Sequence, residues 1–342
     1  MSTEDGKARA ANIFDVARLA GVSYQTVSRV LNDLPNVRPA TRVRVEQAIQ
    51  QLRYVPSSAA RALVTRRSRV LGLIVAGAPD FGVSLTALNF ATAAREARYA
   101  VSSASMLDAD GVSLRSAAEL LIGQNVEAIV LIADQREGLD VLQGIELGVP
   151  LIAIASQNAA VRDGNHRVAF DQFEGAKRAV EHLAELGHRE IRHVAGPVGS
   201  MDATERMRGW RIALGERGLR VQEPLFGDWT PSSGHRLGLE LAHDPDVTAV
   251  FAGNDDMALG VMHALQSAGR RIPDDVSVVG FDDIPAAEHL SPPLTTIKLD
   301  FATLGRDAFA TVLSVLRDDE APDPARRLPA LVKRASTAAP RA

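Results

Sequence analysis

The chain has 342 residues, 46% of them hydrophobic and 23% charged, and a net charge of −4. This length predicts two or three domains with sizeable cores, as in an ordinary soluble protein. The lack of cysteine excludes disulfides and thiolate metal sites, and the polar stretch Met1–Ala11 has no apolar centre of a secretory signal. With no apolar stretch near the ~18 residues of a membrane span, we expect a cytoplasmic protein without membrane contact.

Charge is divided unevenly along the chain. Residues 1–69 contain 12 Lys and Arg against 5 Asp and Glu, while the rest of the chain contains 26 against 37. The first segment therefore carries +7 and the remainder −11. A basic segment on an acidic body indicates that the first segment meets a polyanion, with a solubilising tail as the alternative.

Three short helices are predicted in the basic segment. Asn12 is a good N-cap for the first, with Asp15 in the capping-box position, and Gly21 marks the turn that follows. Ser23 caps the second helix, and the third begins near Pro39. The residues expected to face inward are Ile13, Val16, Ala17, Ala20, Val27, Val30, Leu31, Val45, Ala48, Ile49 and Leu52.

The first two helices and their turn are typical of a helix-turn-helix unit, whose second helix enters the major groove of DNA. Tyr24, Gln25, Ser28 and Arg29 fall on the outward side of that helix. Gln and Arg suit base edges because each makes paired hydrogen bonds to adenine or guanine. A helical hairpin with an ordinary solvated face is the alternative.

The residues Asp15-Val16-Ala17 and the run from Ala20 to Val30 (AGVSYQTVSRV) resemble the signature of the lactose-repressor/galactose-repressor family of transcription regulators. The resemblance implies that Tyr24, Gln25 and Arg29 read bases. It also implies contacts that are mostly to phosphates and set the register. The residues expected to make these contacts are Asn12, Ser23, Ser28, Asn32 and Thr41. Tyr54, at the end of the third helix, is a further DNA-binding candidate.

A hinge is predicted after the third helix. Pro56 ends that helix because proline disfavours helix at the residue before it, here Val55. Residues 57–63 then predict a helix too short to be stable alone. The family resemblance implies that this helix folds on the operator and that Leu63 wedges the central minor-groove step apart. A plain linker helix with Leu63 docked on the core is the alternative.

From Val70 onward, apolar β-type runs alternate with helical patterns such as Phe173–Leu186 and Asp255–Ala268. This alternation predicts doubly wound parallel sheets covered by helices, and the length calls for two such lobes. The predicted strands are Val70–Val75, Tyr99–Ser103, Ala128–Ile132, Leu151–Ala155, Val168–Phe170, Ile191–Val194, Ala249–Phe251 and Val276–Val279.

Polar side chains gather after the strands of the second half, where ligands bind in such sheets. A carboxylate, an amide, a guanidinium and an indole together suit a neutral polyhydroxy ligand. Each also has an ordinary structural reading, as a helix cap, an ion-pair partner or a core residue, and Asp255 is interpreted as the cap of the next helix. The candidates are Asp171, Arg206, Trp229, Asn254 and Asp282.

Three further motifs resemble the same family: Gly253–Gly260 (GNDDMALG), Val278–Asp283 (VVGFDD), and Pro293–Ile297 (PLTTI) followed by Asp300-Phe301. The resemblance implies a sensor similar to periplasmic sugar-binding proteins, with two lobes joined by three crossings. It also implies effector contacts by Arg206, Trp229, Asn254, Asp282 and Phe301. The expected boundaries are 1–56 for the all-α headpiece, 57–67 for the hinge, 68–168 with 298–328 for lobe one, and 169–297 with 329–342 for lobe two.

Four positions depart from the family pattern. Ala76 and Asp202 stand where small hydroxyl residues are expected, Leu299 replaces an amide, and Arg136 lies near the place of a ligand-contacting carboxylate. The second-lobe half of the pocket is therefore retained while the first-lobe half is changed. Asp202 and Arg136 are kept as effector-binding candidates.

These features predict a repressor released by a small sugar effector, with a galactoside as one candidate. One headpiece reads one half-site, so a homodimer on palindromic operator DNA is expected, and the tail Ala335–Ala342 has no leucine heptad for a tetramer. The alternatives are a regulator that uses another sugar, a sugar phosphate or a purine as corepressor, and a non-regulatory sugar-binding protein. A purine is disfavoured because lobe one offers only Phe81 and Phe90 for stacking.

Catalysis is not expected. The sequence has no G-x-S-x-G elbow, no Walker loop, no G-x-G-x-x-G after the first strand and no H-E-x-x-H pair. We therefore expect neither an enzyme nor a cofactor or metal site.

Overall fold

The computed structural model describes residues 11–31, 34–54, 67–77, 80–107, 110–156, 165–319 and 328–341. The chain divides into two compact units, residues 1–68 and 69–342. Within the described residues, no helix combines the length and apolar character needed to cross a membrane. Two DNA-binding candidates, Asn32 and Leu63, lie outside the described residues.

The described residues of the first unit form three helices, α1 (Ile13–Ala20), α2 (Tyr24–Leu31) and α3 (Pro39–Gln51). The predicted capping box is present, because the Asn12 side chain accepts from the Asp15 N–H at 3.0 Å while the Asp15 carboxylate accepts from the Asn12 N–H at 2.9 Å. Gly21 follows at φ +64°, where its missing Cβ lets the chain turn. Ser23 Oγ accepts from the Thr26 N–H at 3.2 Å, so the predicted cap of α2 is also present.

The core of this unit is small. Its partly buried rim includes Ile13, Leu31, Ile49 and Leu52, since a unit of this size cannot cover every apolar side chain. The fully buried residues are Val16, Ala17, Ala20, Val27, Val30, Val45 and Ala48.

Two sheets are formed by the part of the second unit that the structure describes. The first is fully parallel, in the order β2-β1-β3-β4-β5. Its strands are β1 (Val70–Ala76), β2 (Ala100–Met106), β3 (Ile129–Ala133), β4 (Leu151–Ile154) and β5 (His166–Val168). The helices between them are α4 (Phe81–Glu96), α5 (Gly111–Gly123) and α6 (Arg136–Gln143).

The second sheet has the order β11-β10-β9-β8-β6-β7, in which β11 alone is antiparallel to its neighbour. Its strands are β6 (Ile191–Ala195), β7 (Leu225–Phe226), β8 (Ala249–Ala252), β9 (Ser277–Asp282), β10 (Thr295–Lys298) and β11 (Ala330–Val332). The helices that accompany it are α7 (Gln172–Glu185), α8 (Met201–Glu216), α9 (Pro231–Ala242) and α10 (Asp255–Ser267), with a 3-10 turn at Pro285–His289.

The last long helix returns to the first sheet. α11 (Phe301–Arg317) packs on α4 and contacts β4 and β5, after which β11 joins the second sheet. We call the first sheet with α4, α5, α6 and α11 the first lobe, and the second sheet with α7 to α10 the second lobe. Seven of the eight predicted strands are present near their predicted bounds, whereas the predicted strand Val168–Phe170 shares only Val168 with β5, which begins earlier, at His166. The strands β7, β10 and β11 were missed because each is only two to four residues long.

Candidate functional site

A cleft lies between the carboxyl ends of the two parallel sheets, where ligands bind in folds of this class. The space inside it that is free of protein atoms is about 720 Å³, which includes the solvent at its open mouth. The first lobe contributes Asp80, Gly82, Val83, Thr86, Ile132, Ala133, Asp134, Ile154, Ala155, Phe301 and Leu304. The residues from the crossing after β5 and from the second lobe are Ala169, Phe170, Gln172, Asp202, Arg206, Trp229, Asn254 and Asp282.

Arg206 is the central charged group of the cleft and is only 5% exposed. Its Nε–H donates to Gln172 Oε1 at 3.0 Å, and one terminal nitrogen donates to the Gly253 carbonyl. The other terminal nitrogen pairs with Asp282 Oδ1 at 3.3 Å. Its guanidinium carbon also lies 4.0 Å from the centre of the Phe281 ring, which leaves a flat, fixed donor set facing the ligand space.

Trp229 forms an aromatic wall beside this arginine, with 5.2 Å between the ring centre and the Arg206 guanidinium carbon. Its ring lies so close over Gly196 that any Cβ there would overlap the indole. The backbone of Trp229 has φ +71°, a left-handed conformation that is costly for a bulky residue. The amide of Asn254 donates to the Trp229 carbonyl at 3.1 Å and helps to hold this conformation.

Asn254 and Asp282 occupy the ends of neighbouring strands. Asn254 follows β8 and caps α10, its Oδ1 accepting from the Met257 N–H at 2.8 Å. Asp282 ends β9 at φ +105°, another strained position, and such strain concentrates at functional sites. Burial raises the pKa of the Asp282 carboxyl well above its ordinary value, although Arg206 opposes the rise.

Asp202 adds a second titrating carboxyl. It accepts a hydrogen bond from Gln172 Nε2 at 2.8 Å, and Gln172 in turn accepts from Arg206. Burial raises the pKa of Asp202 to about 7, and the Asp134 carboxylate adds to the rise. The cleft therefore carries one acid, Asp202, whose charge changes near neutral pH, close to the permanently charged Arg206.

Phe301 brings an aromatic edge from the crossing into α11. It is nearly buried, and its ring lies 5.5 Å from that of Phe170 and 6.0 Å from that of Phe81, edge to face in both pairs. Together with Trp229, it gives the cleft apolar walls around a polar floor. This combination suits a ligand with hydroxyls on one side and an apolar face on the other.

The structure does not bring every predicted residue to the cleft. Asp171 is buried and caps α7 by accepting from the Glu174 N–H at 2.9 Å. Arg136 is exposed at the start of α6 and lines a separate shallow hollow. Phe90 is fully buried in the core against Phe309, so it offers no stacking face.

The interpretation of Asp255 as a helix cap was wrong, because Asn254 takes that position. Asp255 is instead fully buried beside β10. It accepts from the Thr296 hydroxyl at 2.6 Å and from the Ile284 N–H at 2.9 Å, and burial raises its pKa to about 7.

Sequence reasoning missed four polar residues of the cleft, Asp80, Thr86, Asp134 and Gln172. Asp134 directly follows β3 and Asp80 follows β1 within a few residues. The rule that ligands bind beyond the carboxyl ends of strands therefore applied to the first lobe as well. Gln172 had no such signal, because its role appears only when Arg206 and Asp202 are seen to meet on its amide.

The first unit presents a separate polar face. Tyr24, Gln25 and Arg29 are exposed on α2, with Ser23 exposed at its start. The Tyr24 ring of α2 packs against α1, where its centre lies 5.5 Å from the centre of the Phe14 ring. Ser28 and Thr41 are partly buried, and Tyr54 packs against the core rim. Asn12 is engaged as the cap of α1.

Two further findings bear on chemistry. Among the described residues, no group of three or more His, Asp or Glu side chains is placed to hold a metal ion. His193, with burial lowering its pKa to about 4, is stacked at 4.7 Å on Phe251 inside the second-lobe core and takes no part in the cleft.

Residues 12–57 match the family of bacterial regulatory proteins of the lacI type, and residues 180–337 match the periplasmic binding protein-like domain. The lactose operon repressor of Escherichia coli K12 is 34% identical over 96% of this chain and 91% of its own. A crystal structure of the lac repressor dimer bound to operator and the anti-inducer ONPF has a TM-score of 0.87 at 30% identity, covering 97% of this chain and all of that one.

A complex of the transcriptional regulator CelR with cellobiose has a TM-score of 0.71 at 32% identity, covering 95% of this chain and 99% of that one. These relatives are transcription regulators, and the similarity to them extends over nearly the whole length of the chain. The helix-turn-helix unit, the two-lobed α/β unit and these matches agree, and the chain belongs to the lacI family of bacterial regulatory proteins.

Proposed function

We propose that this protein is a repressor that binds a palindromic operator as a homodimer and is released by a small neutral carbohydrate. The observation that carries the proposal is the cleft itself. A buried arginine held by Gln172 and Asp282, beside the indole wall of Trp229, is a preformed site for a polyhydroxy ring.

The DNA-binding part of the proposal rests on α2. Its exposed Tyr24, Gln25 and Arg29 lie on the helix that enters the major groove in this class of unit. Arg29 and Gln25 carry the paired donors and acceptors that distinguish guanine and adenine. Because operator palindromes mirror two-fold protein symmetry, one headpiece per half-site favours the dimer. Since its target is chromosomal DNA, the protein acts in the cytoplasm.

The effector part rests on the chemistry of the cleft. The carboxyl oxygens of Asp282 and Asp202 accept hydroxyl hydrogens, the Arg206 nitrogens donate to hydroxyl oxygens, and Trp229 covers the apolar face of a sugar ring. The cleft residues include no surplus of cations for a phosphate, since Arg206 stands among Asp80, Asp134, Asp202 and Asp282. A neutral sugar therefore fits the cleft better than a sugar phosphate. The aromatic groups that line the cleft are Trp229, Phe170 and Phe301, and the rings of Phe170 and Phe301 meet edge to face, so this pair does not offer two parallel faces to a purine.

Fluorescence anisotropy on a labelled lactose-operator-like palindrome tests both parts. The titration is repeated at one fixed salt concentration with lactose, cellobiose, galactose, glucose and hypoxanthine, since phosphate contacts make affinity depend on salt. We expect tight binding to the palindrome, weak binding to a scrambled duplex, and release by one of the sugars.

The outcomes separate the alternatives. Tighter DNA binding upon addition of hypoxanthine or of a sugar would identify a corepressor and contradict release by effector. If the palindrome binds no better than the scrambled duplex under every condition, selection from a random DNA pool decides between a different operator and a failed headpiece assignment.

A further inference from the structure

One carboxylate of the first lobe reaches across the cleft to several parts of the second lobe. Asp134 directly follows β3 and is half-buried. Its Oδ1 accepts from the Ser200 hydroxyl at 2.7 Å and from the Asp202 N–H at 3.2 Å, and its Oδ2 accepts from the Trp229 Nε1–H at 3.2 Å. Beside it, Gln135 and Ser200 form an antiparallel β-bridge. Both oxygens of the carboxylate are thus engaged between the lobes.

Asp134 also accepts hydrogen bonds from N–H groups in the first turn of α8, a helix of the second lobe. The first N–H groups of a helix have no partner within it. At the start of α8, the Met201 N–H donates to the Asp134 carbonyl at 2.9 Å, the Asp202 N–H donates to the Asp134 carboxylate, and Ser200 Oγ accepts from the Ala203 N–H at 2.9 Å. A negative charge at this end is also favoured by the helix dipole. The first lobe therefore supplies two of the three acceptors that α8 needs.

The elements held in this way are the ones that line the cleft. α8 carries Asp202 and Arg206, and the Asp134 carboxylate fixes the indole edge of Trp229. Rotation of the lobes away from each other would leave the first N–H groups of α8 and the indole N–H without their acceptors. Each such loss weakens the closed arrangement, because these hydrogen bonds involve a charged partner.

We propose that Asp134 is a positioning residue for effector binding, which latches α8 and the Trp229 ring to the first lobe and so sets the closed geometry of the cleft. This inference rests on the proposed function, because it takes the cleft as the effector site. The residue acts through Trp229, Asp202 and Arg206, since its own oxygens are already engaged by the second lobe.

Trp229 fluorescence tests the latch without any effector. The chain has two tryptophans, and Trp210 is buried with its Nε1–H donating to the Ile191 carbonyl at 3.1 Å. In a Trp210→Phe background, emission reports Trp229 alone. Asp134→Asn keeps one acceptor and replaces the other by a donor, so the hydrogen bonds from the Asp202 N–H and the Trp229 Nε1–H, which can only donate, can no longer both form. We expect red-shifted emission and stronger acrylamide quenching of Trp229.

The second readout is the sugar dependence of operator release. The probe is lactose, cellobiose or galactose, whichever acts on the parent protein. We expect Asp134→Asn to require about tenfold more sugar, as for the loss of a charge-assisted hydrogen bond. Asp140→Asn is the matched control, because Asp140 is exposed on α6 of the same lobe and outside the cleft. It should leave both readouts at their parental values.

The possible results are distinct. Quenching that rises only in Asp134→Asn, together with a weaker sugar response, supports the latch. Quenching equal to that of Asp140→Asn, or an unchanged sugar response despite increased quenching, overturns it. If Asp134→Asn fails to fold, Asp134→Glu keeps the charge but lengthens the side chain by one methylene, which displaces the carboxylate from its donors, and is read in the same way. If no sugar acts on the parent, the proposed function has failed, while the effector-free quenching still decides the contact.

Discussion

At the scale of single residues, the cleft is organised by the hydrogen bonds of Arg206. Its three nitrogens are directed by an amide, a backbone carbonyl and a carboxylate, so the guanidinium has little freedom to turn. A donor set fixed in advance lowers the entropy lost when a ligand binds. The strained backbones of Trp229 and Asp282 are part of the same preorganisation.

Asp282→Ala should abolish the response to sugar while leaving operator binding intact. The substitution removes an acceptor for the ligand and leaves the Arg206 guanidinium without its buried partner, so sugar affinity should fall by at least about tenfold, or ~1.4 kcal/mol. Calorimetry measures the sugar affinity and anisotropy the operator affinity. Asp246→Ala, on an exposed turn, is the control. An equal loss of operator affinity in Asp282→Ala would mean that the residue supports the fold and not the effector site.

Asp255 predicts a pH dependence of stability. Burial raises its pKa to about 7 in the folded protein, against an ordinary value of 3.8 in the unfolded chain, so between these values the folded protein holds a proton that the unfolded chain has released. Stability from this group is therefore present at low pH and is lost as the pH rises toward about 7. The total change is at most about 4 kcal/mol, since each pKa unit corresponds to ~1.4 kcal/mol.

Asp255→Asn removes this titration and should make the urea midpoint fall less between pH 5 and 8. Some slope should remain, because burial also raises the pKa of Asp202 and of Asp282. Asp246→Asn, which changes an exposed acid, should keep the parental slope. The same slope in Asp255→Asn as in the parent would show that Asp255 does not titrate in this range.

At the scale of elements, most of the helices and strands could be predicted from local sequence patterns. The capping box of Asn12 and Asp15 and the turn at Gly21 are contained within ten residues, so sequence alone located α1 and α2. Local patterns could not predict the role of a residue whose partners are distant in the sequence. Asp134 is two residues after the end of the predicted strand Ala128–Ile132, yet its contacts lie 66 to 95 positions further along the chain.

Helix α2 gives a prediction about DNA specificity. Gln25→Ala should lower affinity for the operator by about five- to a hundredfold, since a paired contact to a base contributes ~1–3 kcal/mol of discrimination. Affinity for scrambled DNA should change little, because that affinity comes from phosphate contacts. Gln47→Ala, on the exposed side of α3, is the matched control. A uniform loss on both duplexes would indicate that Gln25 contacts the backbone of the DNA.

At the scale of the whole molecule, the proposed function requires that ligand binding in the cleft be coupled to DNA binding by the first unit. An effector shifts such an equilibrium only if it binds the two arrangements unequally. The cleft provides this inequality, since Asp134, Asp80 and Phe301 come from the first lobe and Arg206 and Asp282 from the second. A ligand that contacts both sets binds the closed arrangement more tightly.

The oligomeric state is the prediction for the intact protein. Native mass spectrometry should give a mass of twice the 36.5 kDa chain, and two chains per operator duplex in the complex. Two-fold symmetry is what a palindromic site requires. A tetramer in solution, or one chain per duplex, would contradict the proposed arrangement.

The most direct test of the account is the sugar affinity measured by calorimetry with and without saturating operator. By linkage, operator must weaken sugar binding by the same factor by which sugar weakens operator binding, typically about 5- to 150-fold. We predict equal factors in the two directions, and their collapse toward one in Asp282→Ala. A sugar that binds the cleft with the same affinity in both conditions would contradict the proposal that this cleft controls the DNA-binding headpiece.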